Sequence, residues 1–387
     1  MKSVLRVAAC LALAASTARA EETIKVGVIA PFTGPFADYG KEIEAGIKAW
    51  MKLNGDRVAG KRVEVIVRDT TGPLPDVAKR LAQELVVREK VHFLAGFGLT
   101  PEAMAVADIA TQAKTPMIIM NAATSIITTK SPYIVRVSMT LPQGTAPIAT
   151  WAWKNGIKKV FTLVSDYAPG IDSETQFKKT FGAAGGQIVD SIRVPLRNPE
   201  FAPFLQRIKD ARPDAVFIFV PPGEANIGFM KGFVERGLDK AGIKVIGPGD
   251  LTEDHTVDAM GDYALGIITS FHYSDAHESP ENKAFLKAFY EVAPGLGRPN
   301  FMAVGGYDGM AAIYHAAARL GGKIDGDKAV EALKGWKHMS PRGPIYIDPA
   351  TRDVVQTEYF RKVEKRDGKN YNIEFDSIPN VKDPGKQ

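Results

Sequence analysis

Short, uninterrupted apolar runs recur along this chain from residue 23 onward, and a longer amphipathic segment follows each of them. The segment behind the first run, "TIKVGVIA", places four apolar residues on one helical face: Ile43, Ile47, Trp50 and Met51. Continuous rather than alternating hydrophobicity is typical of parallel strands that are buried on both faces. The pattern therefore predicts an α/β fold made of doubly wound sheets.

The same rhythm begins again after "SMTLPQGTAP", and a chain of 387 residues is too long for one ordinary core. We therefore expect two lobes. The chain becomes mostly helical between about 279 and 335, and it ends with strands at "PIYID" and "VVQTEYFRKVEK" and a polar tail. Ligands of doubly wound sheets bind beyond the carboxyl ends of strands, so the cleft between the lobes is the predicted site.

The N-terminus has the pattern of a secretory signal peptide. The basic stretch "MKSVLR" precedes the apolar run "VAACLALAAS", and Ala18-Arg19-Ala20 forms an A-x-A cleavage site. We expect residues 1–20 to be removed after Ala20 and the protein to be periplasmic. Removing the three basic residues of this segment lowers the net charge from +5 to +2, which argues against nucleic-acid binding. Cys10 leaves as well, so the mature chain forms no disulfide.

Motifs of catalysis and cofactor binding are missing from the sequence. In "GFGLTP", Pro101 stands where a dinucleotide-binding fingerprint needs its third glycine, and no serine lies in a G-x-S-x-G motif. His272, Asp275 and His277 are metal-ligand types, but their spacing matches no helical zinc pair. His315 is interpreted as a packed helix residue. We therefore predict no catalytic residue, no metal and no cofactor.

Two loops at strand ends have the groups that hold a small anion without a charged partner. In "GFGLTPE", Gly98 permits close backbone approach, Thr100 can cap the next helix and Pro101 suits its first position. Free amides there can face a carboxylate. In "NAATS", small side chains expose backbone amides, and Thr124 and Ser125 add hydroxyl donors. The alternative interpretation is a helix cap and a capped turn with no ligand.

The stretch "PFTGPFADYG" places aromatic rings around a glycine-rich turn. Phe32, Phe36 and Tyr39 are the rings concerned, and such rings more often belong to a core than to a site. Tyr39, however, falls at the start of a helix that faces the strand ends. Its flat ring is suited to cover the hydrophobic side of a ligand.

These motifs, in their order along the chain, resemble a known family. "VGVIAPFTGPFADYG", the G-F-G turn, "AAT", "LVSDYAPG" and "GPGD" are similar to the branched-chain amino acid-binding proteins of ABC importers, the type I periplasmic solute-binding proteins. The resemblance implies two doubly wound lobes joined by a three-segment hinge, with crossovers near 138–142, 269–273 and 346–352. The N-terminal lobe would comprise 21–140 and 272–348, and the C-terminal lobe 141–271 and 349–387.

The resemblance also implies which residues hold the ligand carboxylate. In the family, this group is bound by the turn after the third strand and by the "AAT" loop. The matching positions in this chain are Leu99, Thr100, Ala122 and Thr124, and the adjacent Gly98 and Ala123 are included as candidate ligand-binding residues. Tyr39 matches a tyrosine that lines the family's pocket.

At the other end of the ligand, the sequence departs from the family. Amino-acid binders commonly have a tyrosine where Pro169 stands and an acidic residue where Gly249 stands, and these meet the α-ammonium. Asp250 is one residue further on, and Asp166 is another candidate acceptor. An ammonium that is buried without good acceptors costs several kcal/mol. The departure therefore argues against an α-amino acid.

Some relatives with this architecture bind aromatic carboxylates, which need no ammonium partner. Five rings are candidates for the apolar slot: Phe32, Tyr39, Tyr167, Phe271 and Tyr273. The leading hypothesis is thus a monomeric binding protein that captures an aromatic or hydrophobic carboxylate by hinge closure and delivers it to an ABC permease. A branched-chain amino acid is the alternative if Asp250 takes the role of Gly249. A ligand sensor with the same fold is a further alternative, and an enzyme is disfavoured.

Overall fold

The computed structural model describes residues 22–386, and the predicted signal peptide lies outside them. The first of its two sheets has six strands in the order β2-β3-β1-β4-β5-β6. Their bounds are Thr23–Ala30 (β1), Arg57–Val58 (β2), Lys61–Asp69 (β3), Phe93–Gly96 (β4), Met117–Ile119 (β5) and Ile134–Arg136 (β6). All neighbours are parallel except β2 and β3, as the continuous apolar runs predict.

Six helices belong with this sheet: α1 (Ala37–Asn54), α2 (Pro75–Val87), α3 (Thr100–Ala113), and from the later helical region α8 (Pro280–Val292), α9 (Phe301–Arg319) and α10 (Gly326–Leu333). Helices α1 and α9 touch through glycines. A Cβ on Gly46 would meet the carbonyl of Ala303, and a Cβ on Gly306 would meet the carbonyl of Ile43. The later helical region is therefore fixed against the start of the chain.

The second sheet has nine strands, in the order β12-β13-β14-β11-β10-β9-β7-β8 with β15 beside β14. Its strands are Lys159–Ser165 (β7), Gln187–Val194 (β8), Ala215–Phe219 (β9), Lys244–Pro248 (β10), Ile268–Phe271 (β11), Lys337–Ser340 (β12), Gly343–Ile347 (β13), Val354–Arg366 (β14) and Lys369–Val381 (β15). The helices between its parallel strands are α5 (Ala168–Ala183), α6 (Ala202–Ala211) and α7 (Glu224–Glu235), preceded by α4 (Leu141–Lys154). The prediction of two doubly wound sheets is confirmed.

The predicted polar tail is wrong, because residues 369–381 form strand β15, which pairs antiparallel with β14. The reason is that its inward positions carry amides instead of apolar side chains. Asn372 is fully buried, and its Nδ2 donates to Asp254 Oδ1 at 2.7 Å. The backbone amide of Asn370 donates to Asp258 Oδ1 at 2.6 Å. Polar residues at buried positions hide the strand from a hydrophobicity pattern.

The segments that connect the two sheets are bonded to one another. The backbone amide of Arg136, at the end of β6, donates to the carbonyl of Arg352 at 3.0 Å. The buried Arg342 guanidinium donates to the carbonyl of Ser138 at 2.6 Å and lies 2.9 Å from Asp308 Oδ2. Strands β12 and β13 continue the second sheet while β12 also touches α8 and α9. The lobe boundaries at 140/141, 271/272 and 348/349 remain a prediction.

None of the helices among residues 22–386 combines the length and apolar character that crossing a bilayer would require.

Candidate ligand-binding cavity

A small cavity of about 20 Å³ lies between the two sheets, where the carboxyl ends of their parallel strands face each other. This is where a doubly wound fold is expected to bind its ligand. Predicted site residues that line it are Tyr39, Gly98, Leu99, Thr100, Ala122, Ala123, Tyr167, Pro169 and Asp250. Sequence reasoning missed seven others: Asn121, Met139, Leu141, Phe219, Pro222, Phe301 and Met302.

The loop after β5 and the start of α3 form one wall, and this wall is built to present donors. The fully buried Arg136 donates to the carbonyl oxygens of Ala122 and Thr124 at 3.0 and 2.8 Å, and to that of Ser125 at 3.2 Å. The carbonyl of Ala123 accepts from the amide of Leu141 at 3.0 Å. Each carbonyl oxygen of 122–125 thereby accepts a hydrogen bond from within the protein.

Two backbone amides of this loop are unused. Among residues 22–386, the amides of Ala123 and Thr124 have no acceptor, whereas that of Ala122 donates to the carbonyl of Phe97 at 2.9 Å. Arg136 stands behind the loop, and its Nε lies 2.8 Å from Asp353 Oδ1. An anion here would meet neutral donors backed by a buried, paired cation, without touching a charged side chain.

Helix α3 begins at Thr100, with Leu99 in the N-cap position. The expectation that Thr100 caps the helix is therefore wrong. Its hydroxyl instead lies 3.1 Å from the hydroxyl of Thr124, so the two loops are joined by a hydroxyl pair. Thr124 is buried but does not line the cavity directly. Its hydroxyl therefore lies behind Thr100, further from the cavity than expected.

Glu102 lies under the same helix end and would repel an anion if it were charged. Its Oε2 accepts from the amide of Leu99 at 3.1 Å, and Thr70 donates to its other oxygen. Burial raises the pKa of Glu102 to about 8. Its carboxyl is therefore mostly neutral near pH 7 and adds little negative charge beside the donors.

The second wall carries large side chains and one acid. The rings of Tyr167 and Phe219 stack with centroids 6.2 Å apart and an interplanar angle of 13°. Beside them, Asp250 is 3% exposed, and its Oδ2 has no partner within 22–386. Burial raises the pKa of Asp250 to about 7. Burial likewise raises the pKa of Tyr39 well above its usual value, so that its hydroxyl stays protonated.

Four other predicted residues lie elsewhere. The amide of Phe32 donates to Asp69 Oδ1 at 2.8 Å, at the end of β3. Phe271 is buried against Phe301, with ring centroids 4.8 Å apart. Tyr273 is fully buried, and its hydroxyl donates to Asn282 Oδ1 at 3.1 Å. None of these rings lines the cavity, and the exposed Asp166 does not line it either.

Gly249 also stays behind the cavity wall. A Cβ at this position would run into the ring of Phe271 and the guanidinium of Arg361. The carbonyl of Gly249 accepts from Arg361 Nη2 at 3.1 Å. An acidic side chain does not fit here, so the acid available to a ligand is Asp250.

The missed lining residues had a weak signal at most. Asn121 opens the "NAATS" loop, and Phe219 ends β9, so both satisfy the strand-end rule that selected the other residues. Asn121 is buried, and its Nδ2 donates to the carbonyl of Gly98 at 2.7 Å while its Oδ1 has no partner in the described chain. Phe301 and Met302 start α9, which only the tertiary fold brings to the cavity.

The two halves of the molecule meet around this cavity. The amide of Ser125, after β5, donates to Asp172 Oδ2 of α5 at 2.9 Å. On another side, Glu42 of α1 lies 3.3 Å from His255 Nδ1, in the chain that follows β10. A larger cleft of about 990 Å³, open to solvent, adjoins the cavity, and Tyr39 and Met302 line both.

The candidate metal ligands are occupied otherwise. Both carboxylate oxygens of Asp275 accept from Arg298 at 2.7 Å, and His277 Nδ1 lies 2.8 Å from Glu374 Oε2. Burial lowers the pKa of His272 well below its usual value. Within the described residues, no three metal-binding side chains come together. His315 stacks on Trp336, with centroids 5.5 Å apart.

Two facing doubly wound sheets with a donor-lined cavity between them define a two-lobed binding protein. A sequence model described as periplasmic binding protein matches residues 23–369, and the chain belongs to that family. It is therefore an extracytoplasmic binding protein and not an enzyme, and the predicted resemblance is confirmed.

Individual relatives cover nearly the whole chain. A solute-binding protein of an ABC transporter from Rhodopseudomonas palustris BisB5, in complex with 3,4-dihydroxybenzoic acid, is 58% identical, with a TM-score of 0.91 over 94% of this chain and 99% of that one. A second R. palustris solute-binding protein, in complex with 4-hydroxybenzoate, is 47% identical, with a TM-score of 0.92 over 95% and 100%. The "Leu/Ile/Val-binding protein homolog 6" of Brucella melitensis is 49% identical over 99% of this chain and 98% of its own length.

Proposed function

We propose that this protein captures an aromatic carboxylate in the cavity and presents it to the membrane subunits of an ABC importer. The observation that carries the proposal is the asymmetry of the cavity. One wall offers neutral donors at Thr100 and Ala123, with Thr124 behind Thr100, and the other offers the stacked rings of Tyr167 and Phe219. A benzoate needs both parts and no ammonium acceptor.

Closure of the two lobes would complete the site. The ligand docks on the donor wall, and contacts such as Ser125 to Asp172 then stabilise the closed state. Exclusion of water strengthens the hydrogen bonds to the carboxylate. The permease would recognise the closed form, which the protein reaches as a monomer.

Relatives support the same ligand class. The two R. palustris proteins hold hydroxylated benzoates, and the more similar of them is 58% identical to this chain. The proposal extends their ligand chemistry to this protein.

The test is a calorimetric titration of the purified mature protein with benzoate, 4-hydroxybenzoate and leucine. We expect the aromatic acids to bind and leucine not to bind. A thermal melt gives an independent readout, because a ligand at 100 times its Kd adds about 2.7 kcal/mol of stability. Leucine binding without any response to the aromatic acids would refute the proposal.

A branched-chain amino acid remains the second candidate, and one observation favours it. The Oδ1 of Asn121 is an unpaired acceptor in the cavity wall next to the donor loop, where an α-ammonium beside the carboxylate would lie. The name of the Brucella relative points the same way. Asn121→Leu separates the two cases, because it should abolish leucine binding and disturb benzoate binding less.

Export follows from the N-terminal pattern. We infer cleavage after Ala20, which leaves Glu21 as the first residue of the mature protein. Mass spectrometry of the protein purified from the periplasmic fraction measures this directly. Size-exclusion chromatography with light scattering tests the monomer.

A further inference from the structure

Three polar atoms at the cavity have no hydrogen-bond partner among residues 22–386. They are the Oδ1 of Asn121 in the donor loop, the Oδ2 of Asp250 and the hydroxyl oxygen of Tyr39. Asp250 is 3% exposed and Tyr39 is 5% exposed. Buried polar atoms are rarely left unpaired, because each lost partner destabilises the fold. Their positions indicate that a ligand group pairs with them.

Asp250 and Tyr39 line the same small cavity, so one bound group can contact both side chains. Tyr39 comes from α1, and Asp250 comes from the turn that follows β10 in the second sheet. A group bound between them is held by both halves of the molecule. The donor loop that takes the carboxylate belongs to the first sheet alone.

The chemistry of the pair suits a hydroxyl better than an ammonium. The Asp250 carboxyl accepts a hydrogen bond, and the Tyr39 hydroxyl has a proton to donate. A phenolic hydroxyl has one donor and free acceptor lone pairs, so it satisfies both, whereas an ammonium has only donors. The buried Arg361 guanidinium, which holds the carbonyl of Gly249, also disfavours a second positive charge beside Asp250.

We propose that Asp250 and Tyr39 recognise a hydroxyl group on the aromatic ring, so that the protein selects hydroxybenzoates over unsubstituted benzoate. This inference rests on the proposed function. Benzoate would leave Asp250 buried and unpaired, and a site built to bond a hydroxyl rejects the analogue that lacks it.

The experiment compares the affinities for 4-hydroxybenzoate and benzoate by calorimetry. The wild-type protein should bind 4-hydroxybenzoate at least about tenfold more tightly. Asp250→Ala should bring the ratio of the two affinities to within about threefold, and Tyr39→Phe should lower it less. Asp239→Ala, at an exposed position away from the cavity, is the matched control and should keep the wild-type ratio.

The outcomes separate the two claims. Binding of both acids with equal affinity by the wild-type protein would overturn this inference and leave the proposed function standing. An unchanged ratio in Asp250→Ala would do the same. If that variant does not fold, Tyr39→Phe, which preserves the ring, decides by the same ratio. Failure of the wild-type protein to bind either acid would overturn both claims.

Discussion

The two walls of the cavity differ in what they are made of. The wall from the first sheet offers backbone amides and the hydroxyl of Thr100, and its carbonyls are held from behind by Arg136. The wall from the second sheet offers the side chains of Tyr167, Phe219 and Asp250. Backbone donors cannot change by substitution and suit a group shared by every ligand. Side chains can change, and they suit the part of the ligand that varies.

The comparison predicts that substitutions in the first wall weaken the binding of all ligands alike. Substitutions in the second wall should instead change the affinity for some ligands more than for others. Loss of Arg136 or Thr100 should weaken every carboxylate ligand alike. Substitutions around Asp250 should alter the relative affinities for different ligands. Each prediction below tests one side of this division.

The largest effect is expected for Arg136→Met. This change removes the guanidinium that pairs with the buried Asp353 carboxylate. It also removes the hydrogen bonds that Arg136 donates to the carbonyls of Ala122 and Thr124. Removing one partner of a buried ion pair typically costs about 3–5 kcal/mol. Urea unfolding should show a loss of this size, and Arg80→Met, at an exposed position, should lose less than about 0.5 kcal/mol. Equal stability of both variants would contradict the role given to Arg136.

Thr100→Val should weaken all carboxylate ligands by about 10–100-fold, since a hydrogen bond to a charged group contributes about 1.5–3 kcal/mol. Thr124→Ala should have a smaller effect, because Thr124 reaches the ligand through the hydroxyl of Thr100. Thr129→Val, at an exposed position, is the control. A larger loss of affinity in Thr124→Ala than in Thr100→Val, measured by calorimetry, would contradict the placement of Thr124 behind Thr100.

Gly249→Ala tests the second wall from behind. The new methyl group would meet the Phe271 ring and Arg361, both of them buried, so the packing has little room to yield. We expect a loss of about 1–3 kcal/mol in the unfolding free energy. The control is Gly228→Ala, because a Cβ at Gly228 meets nothing within 4 Å. Gly237→Ala is less suitable because the backbone φ of Gly237 is +69°. An unchanged unfolding free energy in Gly249→Ala would contradict the tight packing behind this wall.

Much of this arrangement could be predicted from the sequence. Apolar runs followed by small or polar residues correctly indicate the strand ends. Most of the ligand-binding residues predicted at these strand ends line the cavity. The rule works because the carboxyl ends of parallel strands share one edge of the sheet. It selects loops well, but it does not say which side chain of a loop points inward.

The errors arise where tertiary packing decides. Phe271 ends β11 and Gly249 directly follows the neighbouring strand β10, yet the Phe271 ring fills the space where a Gly249 side chain would lie. Phe301 and Met302 lie more than 200 positions beyond Leu99 in the sequence and reach the cavity because α9 packs on α1. Strand β15 was missed because asparagines occupy its inward positions. Local patterns do not contain this information.

The smallest effect is expected from pH, at a contact between the two halves that lies outside the cavity. Glu42 of α1 is fully buried, 3.3 Å from His255 Nδ1. The other groups that face this pair are the Glu253 and Asp38 carboxylates and the Asn300 amide, which donates to Glu42 Oε2 at 3.3 Å. The neighbouring Glu42 carboxylate raises the pKa of His255 to about 9, and burial raises the pKa of Glu42 to about 7.

Both shifts make the folded protein bind protons that the unfolded chain releases, so stability should fall as pH rises. The contribution of His255 is complete below about pH 6.5, its unfolded value, and is lost as pH rises through about 9. The contribution of Glu42 is lost between about pH 4.5 and 7. We expect the unfolding free energy to drop by about 1 kcal/mol between pH 6.5 and 9.

His255→Gln should remove this drop, whereas His315→Gln, at a histidine whose pKa burial lowers, should retain it. Thermal melts at pH 6.5, 7.5 and 9 measure the difference. Because the pair joins the two halves without touching the cavity, His255→Gln should also leave the order of ligands unchanged. A change in that order would mean that closure, and not the side chains of the second wall, sets selectivity.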